Sequence, residues 1–321
     1  MRCSRAGIVL FCRTKENQKS ASDFDALDPR IKGCSPLIIP KLLSKRKKAS
    51  AALHAFFSFF RFEKTKQMNF LLTLAYDGTN YCGFQVQPNG RSVAAVFQDA
   101  LEAVLGTRPD IKGCSRTDAG VHALGFRLNF HADTRIPPEK LPLALNQHLP
   151  PDIRVLAARV VPEDFHARYA AHTKTYLYRI HNHPIDSPFD AAYYTRMPKH
   201  LDEVRMQAAA QQFVGTHDFL ALCAAGSSAA AHGDTVRTIT DCHVTRRGDE
   251  IDIEVTADGY LYNMVRILAG TLCEVGAGRM QPEQIPGILA GCDRSQAGPT
   301  LPAKGLFLKC VEYPDMKENH S

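Results

Sequence analysis

From Asn69 onward the apolar residues switch repeatedly between a spacing of two and a helical spacing, and this switching limits the folds open to the chain. Phe70, Leu72, Leu74 and Tyr76 alternate as one face of a half-buried strand, which Asp77-Gly78 ends with a turn. Ser92 then supplies an N-cap, Val93, Val96, Phe97, Ala100, Leu101 and Val104 form one apolar stripe, and Gly106 stops the helix. Strands are predicted near 111–116, across 124–131 and at 153–161, with a helix around 138–147 opened by Pro137 and Pro138. In the second half Tyr176, Tyr178 and Ile180 share one face of a strand through 175–180. Ile251, Ile253 and Val255 alternate with Asp252 and Glu254, the pattern of a strand with one wet face. A helix from about 262 to 275 buries Val265, Leu268, Leu272 and Val275, a shorter one follows Pro286, and a last strand spans 306–311. Elements that interleave without strict βαβ order predict an α+β fold: two similar α/β subdomains around a mostly antiparallel sheet.

At 321 residues the chain can bury a substantial core. Its net charge of +6 suggests a polyanionic partner until it is divided at Met68. Fifteen basic and five acidic residues precede Met68, leaving 24 basic and 28 acidic residues after it, so the body carries a net charge of −4. Any nucleic-acid surface on the body must therefore be a local basic stripe. Residues 1–67 show no lasting period, carry the run Lys45-Arg46-Lys47-Lys48 and end in a phenylalanine cluster. They read as a basic, disordered or non-native extension, or as an arm that touches RNA or a membrane surface. The domain boundaries read from the chain are thus 1–67, 68–172 and 173–321.

The ten cysteines include no C-x-x-C pair, and His181-x-His183 has no second ligand pair at metal-site spacing, so no structural metal is expected. The thiols read as reduced and the protein as cytoplasmic. No stretch approaches the roughly 18 apolar residues of a membrane-spanning helix.

Chemistry concentrates in Arg116-Thr117-Asp118-Ala119-Gly120-Val121-His122. A carboxyl in a dry pocket tends to stay protonated, whereas an adjacent guanidinium lowers its pKa by roughly 1 to 3 units. Asp118 beside Arg116 therefore reads as an ionised carboxylate at neutral pH, held exposed by a turn that Gly113 and Gly120 allow. The plainer reading is an Asp that caps its own turn. His122 lies four residues on, but Gly120 argues against a helix that would align the two, so His122 reads as a structural, hydrogen-bonding residue.

Taken together, these segments resemble one family, the TruA-type tRNA pseudouridine synthases. The matching strings are Tyr76-Asp77-Gly78, Cys114 through Ala123, Asp164-Phe165-His166-Ala167-Arg168, Tyr176-x-Tyr178, Val236-Arg237-Thr238-Ile239, Tyr262-Asn263-Met264-Val265-Arg266 and Ala303-Lys304-Gly305-Leu306. The resemblance implies isomerisation of uridine to pseudouridine in the anticodon stem-loop of tRNA, a homodimer, and Asp118 as the essential carboxylate. Moving the glycosidic bond from nitrogen to carbon on one base is redox-neutral and calls for no cofactor and no metal. Tyr176 matches the family's tyrosine that packs on the target base, where an aromatic face is worth roughly 1 to 3 kcal/mol. Arg266 matches the arginine that pairs with the carboxylate, Arg116 a phosphate contact, and Leu306 the apolar wall of the uracil pocket. Arg168 and Arg237 read as phosphate contacts or as plain surface charges. On this reading residues 68–172 carry the Asp motif, residues 173–321 complete the pocket, and the active site lies in the central cleft between the two subdomains.

The chain departs from the family beside the carboxylate. Gly83-Phe84-Gln85 replaces Gly-Trp-Gln, Ser115 stands where Gly is frequent, and Leu124-Gly125-Phe126-Arg127 lacks the usual Gln. Two other classes use similar parts. An N-glycoside hydrolase or nucleosidase also places a carboxylate on a ribosyl bond, though most glycoside hydrolases pair two acids, and neither Asp110 nor Asp133 has a pattern tying it to Asp118. An RNA-binding protein without turnover would need the basic stripe alone.

Overall fold

The period-two run becomes strand β1 (Met68–Tyr76) in a computed structural model that describes residues 67–88 and 90–314. The readings made for residues 1–67 fall, apart from Gln67, outside the described residues. After β1 come α1 (Val93–Leu105), β2 (Ile111–Gly113), β3 (His122–Ala132), α2 (Leu141–Asn146) and β4 (Ile153–Val161). The second half contains β5 (Thr173–His181), β6 (Thr195–Arg196), α3 (Glu203–Gln211), β7 (Gly215–Asp218), α4 (Ser228–Ala231), β8 (Val236–Arg247), β9 (Glu250–Ala257), α5 (Met264–Gly276), α6 (Ile285–Gly291) and β10 (Leu306–Glu312). Among the described residues, no helix is long and apolar enough to cross a membrane.

The strands form a single sheet in the order β4-β1-β3-β10-β5-β9-β8-β7, with β2 against β3 and β6 against β5. In the first half β1 lies between β4 and β3 and is antiparallel to both; in the second, β5 lies between β10 and β9 in the same way. Each half thus places its opening strand at the centre and its closing strand on the same side. This is the α+β arrangement of two similar halves that the sequence predicts. The halves meet where β3 runs parallel to β10 through the partners Phe307–His122 and Leu308–Ala123.

Local sequence explains most elements. The Ser92 hydroxyl accepts from the Ala95 amide to start α1, and Gly106 ends it in the left-handed conformation at φ 70°. Helix α5 buries Val265, Leu268, Leu272 and Val275 as expected.

Two elements lie outside the sequence reading and one departs from it. Strand β8 carries no legible alternation, because a register shift between Ile239 and Asp241 puts Ile239, Cys242 and Val244 inward at unequal spacing. Helix α3 buries only Met206, Ala209 and Ala210, so small residues hide its apolar face. The polar face of β9 is drier than its sequence suggests: Asp252 is buried and lies 3.5 Å from Arg179.

The second face of β1 is also covered, with Leu71 at 1% exposure. Asn69 and Asn129 share a buried hydrogen bond of 2.9 Å there. Asn69 donates to the Pro162 and Phe165 carbonyls at 2.9 Å, and Asn129 accepts the Ala167 amide at 2.8 Å. Two buried amide side chains thereby fasten the segment ending in Arg168 to the sheet, which sets where that arginine emerges.

Candidate active site

Strand β2 ends where Gly113 pairs with Leu128, and β3 begins at His122, so residues 114–121 must double back along the edge of β3 toward β10 and β5. Two glycines from the turn after β1 hold this loop. A Cβ on Gly78 would sit 2.0 Å from the Val121 carbonyl oxygen, and one on Gly83, at φ 110°, would sit 2.5 Å from that of Thr117. Phe84 continues the brace: its amide donates to the Thr117 carbonyl and its ring stacks on Phe126 at 4.2 Å. The phenylalanine that replaces the family's tryptophan therefore supports the loop from beneath.

The loop borders a cavity of about 690 Å³ that Arg116, Asp118, Arg168, Tyr176, Arg237 and Leu306 all help to line. Residues drawn from both halves are thus gathered at one place. Arg266 lies behind the lining, on the first turn of α5, and its charge reaches Asp118. Its Nε donates to the Leu301 carbonyl at 2.6 Å and its Nη1 to Asn263 Oδ1 at 2.7 Å. Asn263 adopts the left-handed conformation at φ 59° and turns its side chain to Arg266 instead of capping α5. Asn263 was legible only as part of the string ending in Arg266.

No described residue donates a hydrogen bond to the Asp118 carboxylate or stands within ion-pair distance of it. Burial pushes its carboxyl above the ordinary aspartate range, and the Arg266 guanidinium pulls it back only in part. This corrects the expectation drawn from Arg116. That side chain is exposed and is not among the charges that move Asp118, because residues 115–118 form no regular strand or helix that would hold positions 116 and 118 on one face. The cation that matters comes from the far half of the chain.

Two buried tyrosines grip the loop just ahead of the acid. Tyr76 Oη and Thr117 Oγ1 lie 2.8 Å apart, and Tyr176 Oη and Ser115 Oγ 3.1 Å apart. Tyr176 meets Tyr260 edge-on with ring centroids at 4.9 Å. Its polar tip is therefore satisfied while the residue still borders the cavity. Leu306 pairs with Tyr178 across β10 and β5, which puts its buried side chain in the wall.

His122 takes the structural role expected of it. Its Nε2–H donates to the Lys304 carbonyl at 3.2 Å, its Nδ1 accepts the Gly78 amide at 3.0 Å, and its ring stacks on Phe307 at 4.6 Å. Asp77 Oδ1, 3.1 Å from Nδ1, favours the charged ring, but burial outweighs it and holds the imidazole below its usual pKa. Arg237 is engaged by Asp234 through contacts of 2.9 and 3.3 Å. Asp234 is exposed, and that arginine lowers its pKa. Lys174, which also lines the cavity, was not singled out by sequence because a lysine in a strand reads as solvated.

The chain matches the sequence profile of the family described as tRNA pseudouridine synthase over residues 73–170 and 209–314. It is 47% identical over 245 residues to a tRNA pseudouridine synthase A of Caldicellulosiruptor saccharolyticus, covering 76% of this chain and 99% of that protein. A tRNA pseudouridine synthase A of Ruminiclostridium cellulolyticum is 46% identical over 243 residues, covering 75% of this chain and 98% of the relative. Among solved structures, a Cbf5-Nop10-Gar1 complex aligns over 63% of this chain and 54% of its own at 12% identity and a TM-score of 0.27. With both sequence segments of the family matched and nearly the whole length of its relatives spanned, the chain belongs to the TruA-type family of tRNA pseudouridine synthases.

Proposed function

We propose that the cavity receives a uridine swung out of a tRNA stack and that Asp118 is the carboxylate on which its isomerisation to pseudouridine depends. As a member of this family the chain is an isomerase of tRNA uridine. One observation supports the residue assignment above others: an acid bearing no hydrogen bond from a described residue borders the same cavity as a tyrosine, a leucine wall and several cations. Tyr176 offers a face for the extruded base, which offsets part of the few kcal/mol needed to unstack it. Leu306 closes the side of a pocket that must retain the detached base until it is rejoined through carbon. Arg116, exposed at the mouth, suits a phosphate.

The hydrolase reading loses its second acid. Asp234 is the other carboxylate among the lining residues, and its pairing with Arg237 keeps it ionised and unfit to protonate a leaving group. The anticodon stem-loop as target and a homodimer follow from the resemblance, a cytoplasmic location from the reading of the thiols as reduced, and these complete the proposal.

The test is to incubate the full-length protein with unmodified tRNA transcripts and map products by a pseudouridine-selective derivatisation. Product in the anticodon stem-loop is expected, and Asp118→Asn should bind tRNA without forming any. Release of free uracil would instead mark a nucleosidase, and binding without product by the unaltered protein would mark a binding protein.

A further inference from the structure

We infer that Lys174 and Arg168 form a binding site for the backbone phosphate of the nucleotide whose base lies over Tyr176; this rests on reading the cavity as the uridine site. Lys174 precedes Tyr176 by two positions on β5, so the two side chains leave the same face of the strand, with Cα atoms roughly 6.6 Å apart at about 3.3 Å per residue. That offset is comparable to the separation of base and phosphate within one nucleotide. A base over Tyr176 would bring its own phosphate to Lys174.

The side chains around Lys174 answer its charge only weakly, through Asp258. It is half-buried and lines the cavity, yet its ammonium has no hydrogen bond and no ion pair among the described residues. The groups that face it are Arg168 from the segment after β4, Cys114 from the loop after β2, and Asp258 after β9, while Tyr260 Oη donates to its backbone carbonyl at 2.7 Å. Burial pushes the Cys114 thiol up to about 11, so it stays neutral and supplies no counter-charge. Asp258 does not border the cavity. Burial and the like charge of Arg168 together hold the Lys174 ammonium below its usual pKa.

The Arg168 side chain is likewise without a hydrogen bond or ion pair among the described residues and lines the same cavity. Of the other arginines nearby, Arg116 stands exposed at the mouth and suits a phosphate of its own, while Arg237 is engaged by Asp234 and Arg266 by Asn263 and the Leu301 carbonyl. Lys174 is half-buried in the wall and Arg168 exposed at its rim; their like charges repel, and an anion between them relieves that repulsion and the desolvation of Lys174. A guanidinium fork beside an ammonium point charge suits the two free oxygens of a phosphodiester. Uracil carries no such charge, so the site addresses the backbone and holds the nucleotide without reading its base.

The test compares the full-length protein with K174Q and K174R for affinity to an unmodified tRNA transcript across a salt series. Hydrogen bonds to charged groups predict about ten- to hundredfold weaker binding for K174Q, and one lost phosphate contact makes its log–log salt slope shallower by about 0.7 to 0.9. K174R should keep the slope. A second measurement follows acetylation of Lys174 in the unaltered protein by mass spectrometry: tRNA should protect it, and inorganic phosphate at matched ionic strength should not. An unchanged slope in folded K174Q, or tRNA that leaves Lys174 as reactive as before, overturns the site. Equal protection by inorganic phosphate overturns its assignment to the RNA backbone. Pseudouridine formation by the unaltered protein separates the outcomes, since its absence would sink the reading of the cavity itself and its presence with either negative result would sink the phosphate site alone.

Discussion

Ser115 Oγ lies 3.1 Å from Tyr176 Oη, so the loop that carries Asp118 is tied by one hydroxyl pair to a strand of the opposite half. The bond crosses the seam at which β3 meets β10. It fixes the tyrosine ring relative to the acid, and its serine is a position where this chain departs from the family's frequent glycine.

Removing that hydroxyl should therefore act on turnover more than on binding. A net hydrogen bond is worth about 0.5 to 1.5 kcal/mol, so Ser115→Ala should lower kcat/KM by roughly two- to twelvefold, mostly in kcat, with tRNA affinity nearly unchanged. Tyr176→Phe should lose a similar amount, and the double variant should lose little more than either alone. Ser115→Thr should restore activity. Single-turnover rates and tRNA affinities of the four variants check this, and losses that simply add would show that the two hydroxyls act separately.

The pH dependence of the reaction should carry the mark of Asp118. Burial raises its pKa above that of an ordinary aspartate, so the ionised form is lost earlier on acidification than for an exposed one. Rates should fall as pH drops, with a midpoint above 3.8. Asp118→Asn should remove activity by at least about 10²-fold, the low end of what acid–base groups contribute. The sign for stability is opposite. A carboxyl whose folded pKa lies above its unfolded one costs stability when ionised, and the cost is relieved as pH falls through the folded value. Asp118→Asn should thus melt higher than the unaltered protein at neutral pH, with the gap closing in acid; thermal melts across pH test it.

Gly83→Ala should displace the loop while leaving most of the fold intact. Its backbone at φ 110° strains any side chain, and the added Cβ would lie 2.5 Å from the Thr117 carbonyl oxygen, one residue from Asp118. Misplacement of a reacting group by about 1 Å costs on the order of 10²-fold in rate, and overpacking costs roughly 1 to 3 kcal/mol of stability. Gly78→Ala, with its Cβ 2.0 Å from the Val121 carbonyl oxygen, should be the more destabilising of the two. Chemical denaturation and turnover measured on the same preparations separate the effects.

Strands and helices whose apolar residues keep a regular spacing, such as β1, α1 and α5, were legible because periodicity is a property of neighbours along the chain. Strand β8 was not, since its register shift breaks the alternation, and α3 was not, since its inward face is largely alanine. The acid, the tyrosine and the arginines were found as strings of residues. Lys174 sits in no such string, and its importance appears only when its missing partner and its place in the cavity wall are seen.

The sequence by itself determined the regularly spaced elements and the family, and it singled out Asp118 as the candidate acid, because each is carried by residues close together in the chain. The resemblance offered Arg266 and the local string offered Arg116, and the tertiary structure decided which of the two addresses Asp118. The neighbour in sequence, Arg116, is exposed, while Arg266 arrives from 148 positions away with its guanidinium held by Asn263 and the Leu301 carbonyl. The field at a buried carboxyl depends on distance through space and on desolvation, and neither is written in the spacing of residues.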